Sequence, residues 1–126
     1  MKNPIRAINF SVASYWRGIG KLDEVDLLRI LFDDDELQRM ANDPNFNSKK
    51  WSSDLVKAYR KKIQILTSAT DERDLRALKS LHLEQLKGNR IGTSSIRLNK
   101  QYRLILQFKS DESGRTVIVI ELVDYH

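Results

Sequence analysis

The sequence predicts an α+β domain in which helices come first and an antiparallel meander follows. Two observations carry this. Between residues 51 and 78 apolar side chains recur every three or four positions, the period of a helix with one buried face. From residue 81 onward they alternate, and the runs are broken by turn-forming residues at 88–92, 99–101 and 111–114. The expected arrangement is an antiparallel sheet with the helices packed on one face. It is a single compact domain spanning 1–126, because a chain of 126 residues buries one core and not two ordinary ones.

The elements follow in order. A short first strand is expected at 5–10, where Ile5, Ala7 and Phe10 alternate loosely. Val25, Leu27, Leu28, Ile30, Leu31 and Phe32 are too dense for a surface stripe and read as a helix with a broad buried face. Residues 34–40 continue that helix or form a second one. Asn42-Asp43-Pro44-Asn45 ends it, because proline disfavours helix in the residue before it. Ser52 or Ser53 then caps a helix that buries Leu55, Val56, Tyr59, Ile63 and Leu66 and turns Lys57, Arg60, Lys61 and Lys62 outward. Thr70-Asp71-Glu72 caps a short helical turn through Leu75 and Leu78. Strands are expected at 81–86, 93–98, 102–108 and 116–123.

Composition removes several function classes. There is no cysteine, which excludes a disulfide framework, a thiolate zinc site and a cysteine nucleophile. Two histidines do not furnish a metal cage, so neither a metal nor another cofactor is expected. No apolar run approaches the roughly 20 residues of a membrane helix, and Met1-Lys2-Asn3-Pro4-Ile5-Arg6 lacks a signal peptide's apolar stretch. A soluble cytoplasmic protein is the expectation. Its net charge of +5 is unevenly spread. Residues 21–46 hold eight acidic against three basic groups, whereas 47–126 hold sixteen basic against nine acidic. A basic body suits a polyanion or an acidic peptide, although solvated surface lysines would give the same count.

Register sharpens this. A three-residue loop at Asn99, Lys100 and Gln101 places Leu98 opposite Tyr102 and Ile96 opposite Leu104, all on one side; a two-residue loop would split the apolar set. Arg97 and Arg103 then face each other on the other side. Phasing the last hairpin likewise sets Leu106 beside Ile118, Leu104 beside Ile120 and Tyr102 beside Leu122, with Glu121 across from Arg103. Val119, Glu121, Val123 and Tyr125 would share the arginine face. Opposed like charges cost stability, so either an anion sits between the arginines, or Glu121 neutralises Arg103 while Arg97 points into water. Lys87, Arg90 and the glycine-flanked loop 88–92 support the anion alternative, since backbone donors and a guanidinium there can approach a phosphate.

Three segments carry a resemblance. Leu83-Glu84-Gln85-Leu86-Lys87-Gly88-Asn89-Arg90, then Ser95-Ile96-Arg97-Leu98-Asn99-Lys100-Gln101-Tyr102-Arg103, and finally Val123-Asp124-Tyr125-His126 resemble HigB-type toxins of the RelE superfamily in order and spacing. The likeness extends to the helix from Trp51 to Leu66, to Asp74-Leu75 and faintly to Tyr15-Trp16-Arg17-Gly18. The resemblance implies a RelE-like fold and cleavage of messenger RNA in the A site of the 30S ribosomal subunit. It also implies neutralisation by a HigA-like helix-turn-helix antitoxin that represses the operon. Lys87 and Arg103 match basic active-site positions, and Asp124, Tyr125 and His126 match the functional C-terminus. Glu84 stands where some members place a histidine, with His82 two positions earlier. Arg90, Arg97, Lys100 and Tyr102 are the expected RNA contacts around that centre. Residues 21–46 are longer and more acidic than in such toxins, and would be an added helical layer that screens the basic face, shapes the antitoxin contact or merely packs on the core.

The chemistry needs a base for the 2′-OH, charge on the phosphorane stabilised, and an acid for the leaving oxygen. Arg103 and Lys87 suit the phosphate, His126 the proton transfer with Asp124 to orient it, Tyr125 the scissile nucleotide, and Glu84 either a base or a support for Lys87. Two other functions fit the same fold: a ParE-type poison of DNA gyrase, and an inactive module that only binds an antitoxin.

Overall fold

A computed structural model describes residues 6–7, 27–111 and 114–124. The described elements begin with strand β1 (Arg6–Ala7), strand β2 (Arg29–Phe32), helix α1 (Asp35–Asn42), helix α2 (Ser53–Thr67) and helix α3 (Glu72–Ala77). Strands β3 (Glu84–Gln85), β4 (Ser94–Arg97), β5 (Tyr102–Asp111) and β6 (Gly114–Asp124) follow. The strands form one sheet in the order β1-β2-β6-β5-β4-β3. Every pairing is antiparallel except β2 with β6, which is parallel. The fold is α+β as expected, with that one departure from an all-antiparallel sheet.

The departure comes from the run read above as a helix. Leu28, Ile30 and Phe32 are buried while Leu27, Arg29 and Leu31 are half-buried, the two-residue period of a strand. A short apolar run covered on both sides looks the same in sequence whether it is strand or helix. Its neighbours decide. Leu28 N–H donates to Ala69 O (2.8 Å) at the end of α2, and Asp33 N–H donates to Val119 O (2.9 Å) on β6. The 34–40 helix is real and separate, capped by the Asp34 side chain on Leu37 N–H at 2.9 Å. Thus 27–46 is a strand and a helix rather than one helical layer, and residues 21–26 and most of the expected strand 5–10 lie outside the described residues. The acids of this stretch do local work: Glu36 accepts from Ser48 Oγ (2.9 Å) and Asp43 from Asn45 N–H (2.9 Å).

Helix α2 forms where its pattern puts it, with Ser52 Oγ accepting from Leu55 N–H at 3.2 Å as the cap. Leu55, Val56, Tyr59, Ile63 and Leu66 are buried, and they meet Ile96, Leu104, Leu106, Val117, Val119 and Leu122 from the sheet. Arg60, placed by sequence on the outward basic face, instead closes the α1–α2 connection. Its Nε donates to Met40 O (2.8 Å) and its Nη2 to Asp43 O (3.0 Å). Among the described residues no helix is long and apolar enough to cross a membrane.

Tyr59 ties α2 to α1 by donating its hydroxyl to Leu37 O at 2.7 Å from a fully buried position. Burial holds its pKa well above the ordinary 10, and the Asp34 carboxylate adds to the rise. The folded state therefore keeps a proton that the unfolded chain loses above about pH 10, so stability falls as pH rises past that point. Tyr59→Phe is expected to cost about 1 kcal/mol at pH 7 and to remove that part of the alkaline decline, as urea melts at pH 7 and pH 11 would show.

The 81–86 expectation is shortened. Residues 79–81 form a 3-10 turn that buries Leu81, and His82 closes it in the left-handed region (φ 50°, ψ 51°). Only Glu84–Gln85 remain as strand β3 at the sheet edge.

Candidate nucleic-acid interface

The face of the sheet opposite helices α1 to α3 gathers Glu84, Arg97 and Arg103 of the expected site residues. The hairpin between β4 and β5 has the register derived above: Ile96 pairs with Leu104 and Arg97 with Arg103, and Leu98 N–H donates to Tyr102 O at 3.0 Å. Asn99 makes the turn by accepting from Gln101 N–H (2.9 Å) and Tyr102 N–H (2.8 Å) through its side chain.

The β5–β6 register differs from expectation. Arg103 pairs with Val123, Leu104 with Leu122 and Ile105 with Glu121; a bulge then skips Ile120, and Leu106 pairs with Val119. Val117, Val119 and Leu122 all reach the helix-side core, a spacing of two and then three that strict alternation cannot produce. Ile118 pairs with Gln107 on the other face, not with Leu106. Glu121 lies across from Ile105 rather than Arg103.

These pairings set a row on the face opposite helices α1 to α3: Glu84, Ser95, Ile105 and Glu121 lie side by side across four strands, with Ser95 and Ile105 buried. Arg103, two residues before Ile105, leans along that row. Its Nε donates to Ser95 Oγ (2.8 Å), its Nη2 donates to the His82 carbonyl and to Ser95 O (3.4 Å), and Nη2 lies 3.6 Å from Glu84 Oε1. The Arg103 side chain is only 12% exposed, whereas that of Glu84 is 56% exposed. A guanidinium fixed by several acceptors is held in one orientation. At the far end of the row Arg90 Nη1 meets Glu121 Oε2 at 2.7 Å. Arg103 is therefore countered by Glu84 and Arg90 by Glu121.

The other site residues are distributed as follows. Lys87 is exposed just before the 3-10 turn at Gly88–Arg90, in the same loop that carries Arg90. Gly88 (φ 70°) and Gly92 (φ 90°) allow that loop to bend back. Arg97 is half-buried and its Nε donates to Asn99 O at 3.2 Å, while Lys100 is exposed at the hairpin tip. Tyr102 takes the opposite, helix-facing side, edge-on to Trp51 with ring centroids 5.7 Å apart. Asp124 pairs with Tyr102, so alternation places it on that same side, where it accepts from Gln101 Nε2 at 2.9 Å. Tyr125 and His126 lie outside the described residues. The structure thus brings Glu84 and Arg103 together and sets Tyr102 and Asp124 on the other face.

Two participants were missed by sequence reasoning. Ser95 shares a face with Arg97 by simple alternation, and a fully buried serine there was a legible sign of a polar partner for the arginines. The His82 carbonyl had no such sign, because its left-handed backbone is a feature of the turn. Among the described residues no three histidine, aspartate or glutamate side chains gather as metal ligands do.

The family described as RelE-like toxin of type II toxin-antitoxin system HigB matches residues 30–126. Toxin HigB-1 of Vibrio cholerae serotype O1 is 46% identical over 56 residues, covering 44% of this chain and 59% of that toxin. The aligned region therefore spans less than two thirds of that relative. An uncharacterized protein of Haemophilus influenzae is 34% identical over 87 residues, 69% of this chain and 85% of that one. A solved structure of a YoeB/ParE toxin from Agrobacterium tumefaciens is similar with a TM-score of 0.42 and 17% identity, covering 62% of this chain and 81% of its own. With the family match running from β2 to the last residue, the chain belongs to the HigB-like family, the RelE-like toxins of type II toxin-antitoxin systems.

Proposed function

We propose that this toxin is a ribosome-dependent messenger-RNA endonuclease whose active face is the side of the sheet away from helices α1 to α3. The observation that supports this most is the Arg103 cluster: a nearly buried guanidinium, oriented by Ser95 and the His82 carbonyl, beside the exposed Glu84 carboxylate. Under this reading the 2′-oxygen attacks the adjacent phosphorus, its proton passes to a base, and the P–O5′ bond breaks as the 5′-oxygen takes a proton. The products are a 2′,3′-cyclic phosphate and a free 5′-hydroxyl, with no metal required. Arg103 and Lys87 stabilise the phosphorane charge. Glu84 takes the 2′-OH proton, and His126 gives one to the leaving oxygen. Tyr125 stacks on the scissile nucleotide, and Asp124, fixed to Gln101, anchors the end of β6. Arg90, Arg97 and Lys100 contact neighbouring phosphates. The partners are a HigA-like helix-turn-helix antitoxin and the A site of the 30S subunit, the compartment is the cytoplasm, and 1–126 acts as one domain.

A translating extract tests this. Codon-phased cuts in messenger RNA that vanish with His126→Ala or Arg103→Ala are the expected result. Broken DNA in a gyrase assay without RNA cuts would make the chain a gyrase poison, and neither product would make it a binding module only.

A further inference from the structure

The function proposed above counts Arg90 among the RNA contacts, yet in the structure its guanidinium is already engaged. Its Nη1 sits 2.7 Å from Glu121 Oε2. The backbone beneath Arg90 is fixed: its N–H donates to Lys87 O (3.3 Å), and its carbonyl accepts from Thr93 N–H (3.1 Å) and from the Thr93 hydroxyl. Any rearrangement at this point is therefore a swing of the side chain and not of the loop. Arg90 and Glu121 are both close to half exposed, at 45% and 46%, so water and salt reach the pair and hold it weakly.

Glu121 lies in the row that runs from Glu84 through Ser95 and Ile105, on the face that carries Arg103. A carboxylate and the two non-bridging oxygens of a phosphodiester offer a guanidinium the same paired acceptors. We propose that Glu121 is a resident competitor for RNA backbone phosphate at Arg90. In the free toxin the carboxylate occupies the guanidinium; on binding, a phosphate displaces it and Arg90 turns to the RNA. Glu121 thereby lowers affinity for loose single-stranded RNA, so that stable engagement needs the further contacts a positioned message supplies. The inference rests on Arg90 being an RNA contact, as proposed above.

Anisotropy titrations of a short unstructured RNA, 2′-O-methylated throughout so that it cannot be cut, read the effect across a series of salt concentrations. Glu121→Gln is expected to bind several-fold tighter at low salt. Its log–log salt slope steepens by about 0.7, the value for one more phosphate neutralised on a single strand. Arg90→Ala weakens binding, and in the Arg90→Ala background Glu121→Gln brings no gain, which separates a local competition from a general change in charge. Glu121→Ala is expected to repeat the Glu121→Gln result, and unchanged melting midpoints establish that both variants fold. Unchanged or weaker binding by the Glu121 variants, or a gain that survives without Arg90, overturns the proposal. Wild-type affinity in Arg90→Ala overturns it together with the RNA role of Arg90, while cleavage lost only on Arg103 replacement leaves the active face itself standing.

Discussion

Arg103→Ala is expected to slow RNA cleavage by about a hundred- to a thousand-fold, the effect of removing one preorganised donor to a developing oxyanion. The side chain is held by Ser95 Oγ, the His82 carbonyl and Glu84, so its orientation is set before substrate arrives and little reorganisation is needed in the transition state. Truncation also leaves the fully buried Ser95 hydroxyl short of its donor, which costs roughly 1–3 kcal/mol of stability. Arg103→Lys separates the two effects. Lysine keeps the positive charge but lacks the planar fork, so it is expected to fold better than the alanine variant and still to cleave poorly. Single-turnover cleavage beside a urea melt reads both quantities. Near-normal cleavage by Arg103→Lys would mean that charge alone suffices and the oriented fork does not matter.

The second large effect concerns the fold. Ile30→Ala is expected to destabilise the protein by about 2–5 kcal/mol, as deletion of a fully buried aliphatic side chain does. Leu31→Ala, one residue on and only half-buried, is expected to cost clearly less. The contrast arises because β2 pairs along β6, Ile30 beside Val117 and Leu31 beside Ile118, and alternate side chains take opposite faces. Urea denaturation gives both values. Equal losses at the two positions would argue for the helix that the apolar run suggested.

What was legible in the sequence had a single physical determinant. Helix α2 announced itself because one face meets the core, so Leu55, Val56, Tyr59, Ile63 and Leu66 had to recur at helical spacing behind a Ser52 cap. The Arg97–Arg103 opposition followed from the three-residue loop, because a two-residue loop would have split the apolar set. Residues 27–32 were misread because partners far along the chain, β6 and the end of α2, decide their conformation. The β5–β6 register was misread because the bulge at Ile120 changes parity midway, and Ile118, Val119 and Ile120 are all apolar enough to fit either face. The site divides in the same way. Arg103 was reachable from register, but its partnership with Glu84 and Ser95 depends on β3 closing the edge beside β4, and that of Arg90 with Glu121 on where the loop folds. Tyr102 and Asp124 matched the motif in sequence, yet alternation turns them toward the helix layer.

Among the described residues two basic surfaces are open to a polyanion: the sheet face with Arg90, Arg97 and Arg103, and the exposed side of α2 with Lys57 and Lys61. Ultraviolet crosslinking of the 2′-O-methylated RNA to the intact toxin, followed by mass spectrometry of the joined peptides, distinguishes them. Crosslinks are expected in the peptides that span 84–103 and that contain Glu121. Crosslinks confined to the α2 peptide with Lys57 and Lys61 would contradict the placement of the RNA site on the sheet.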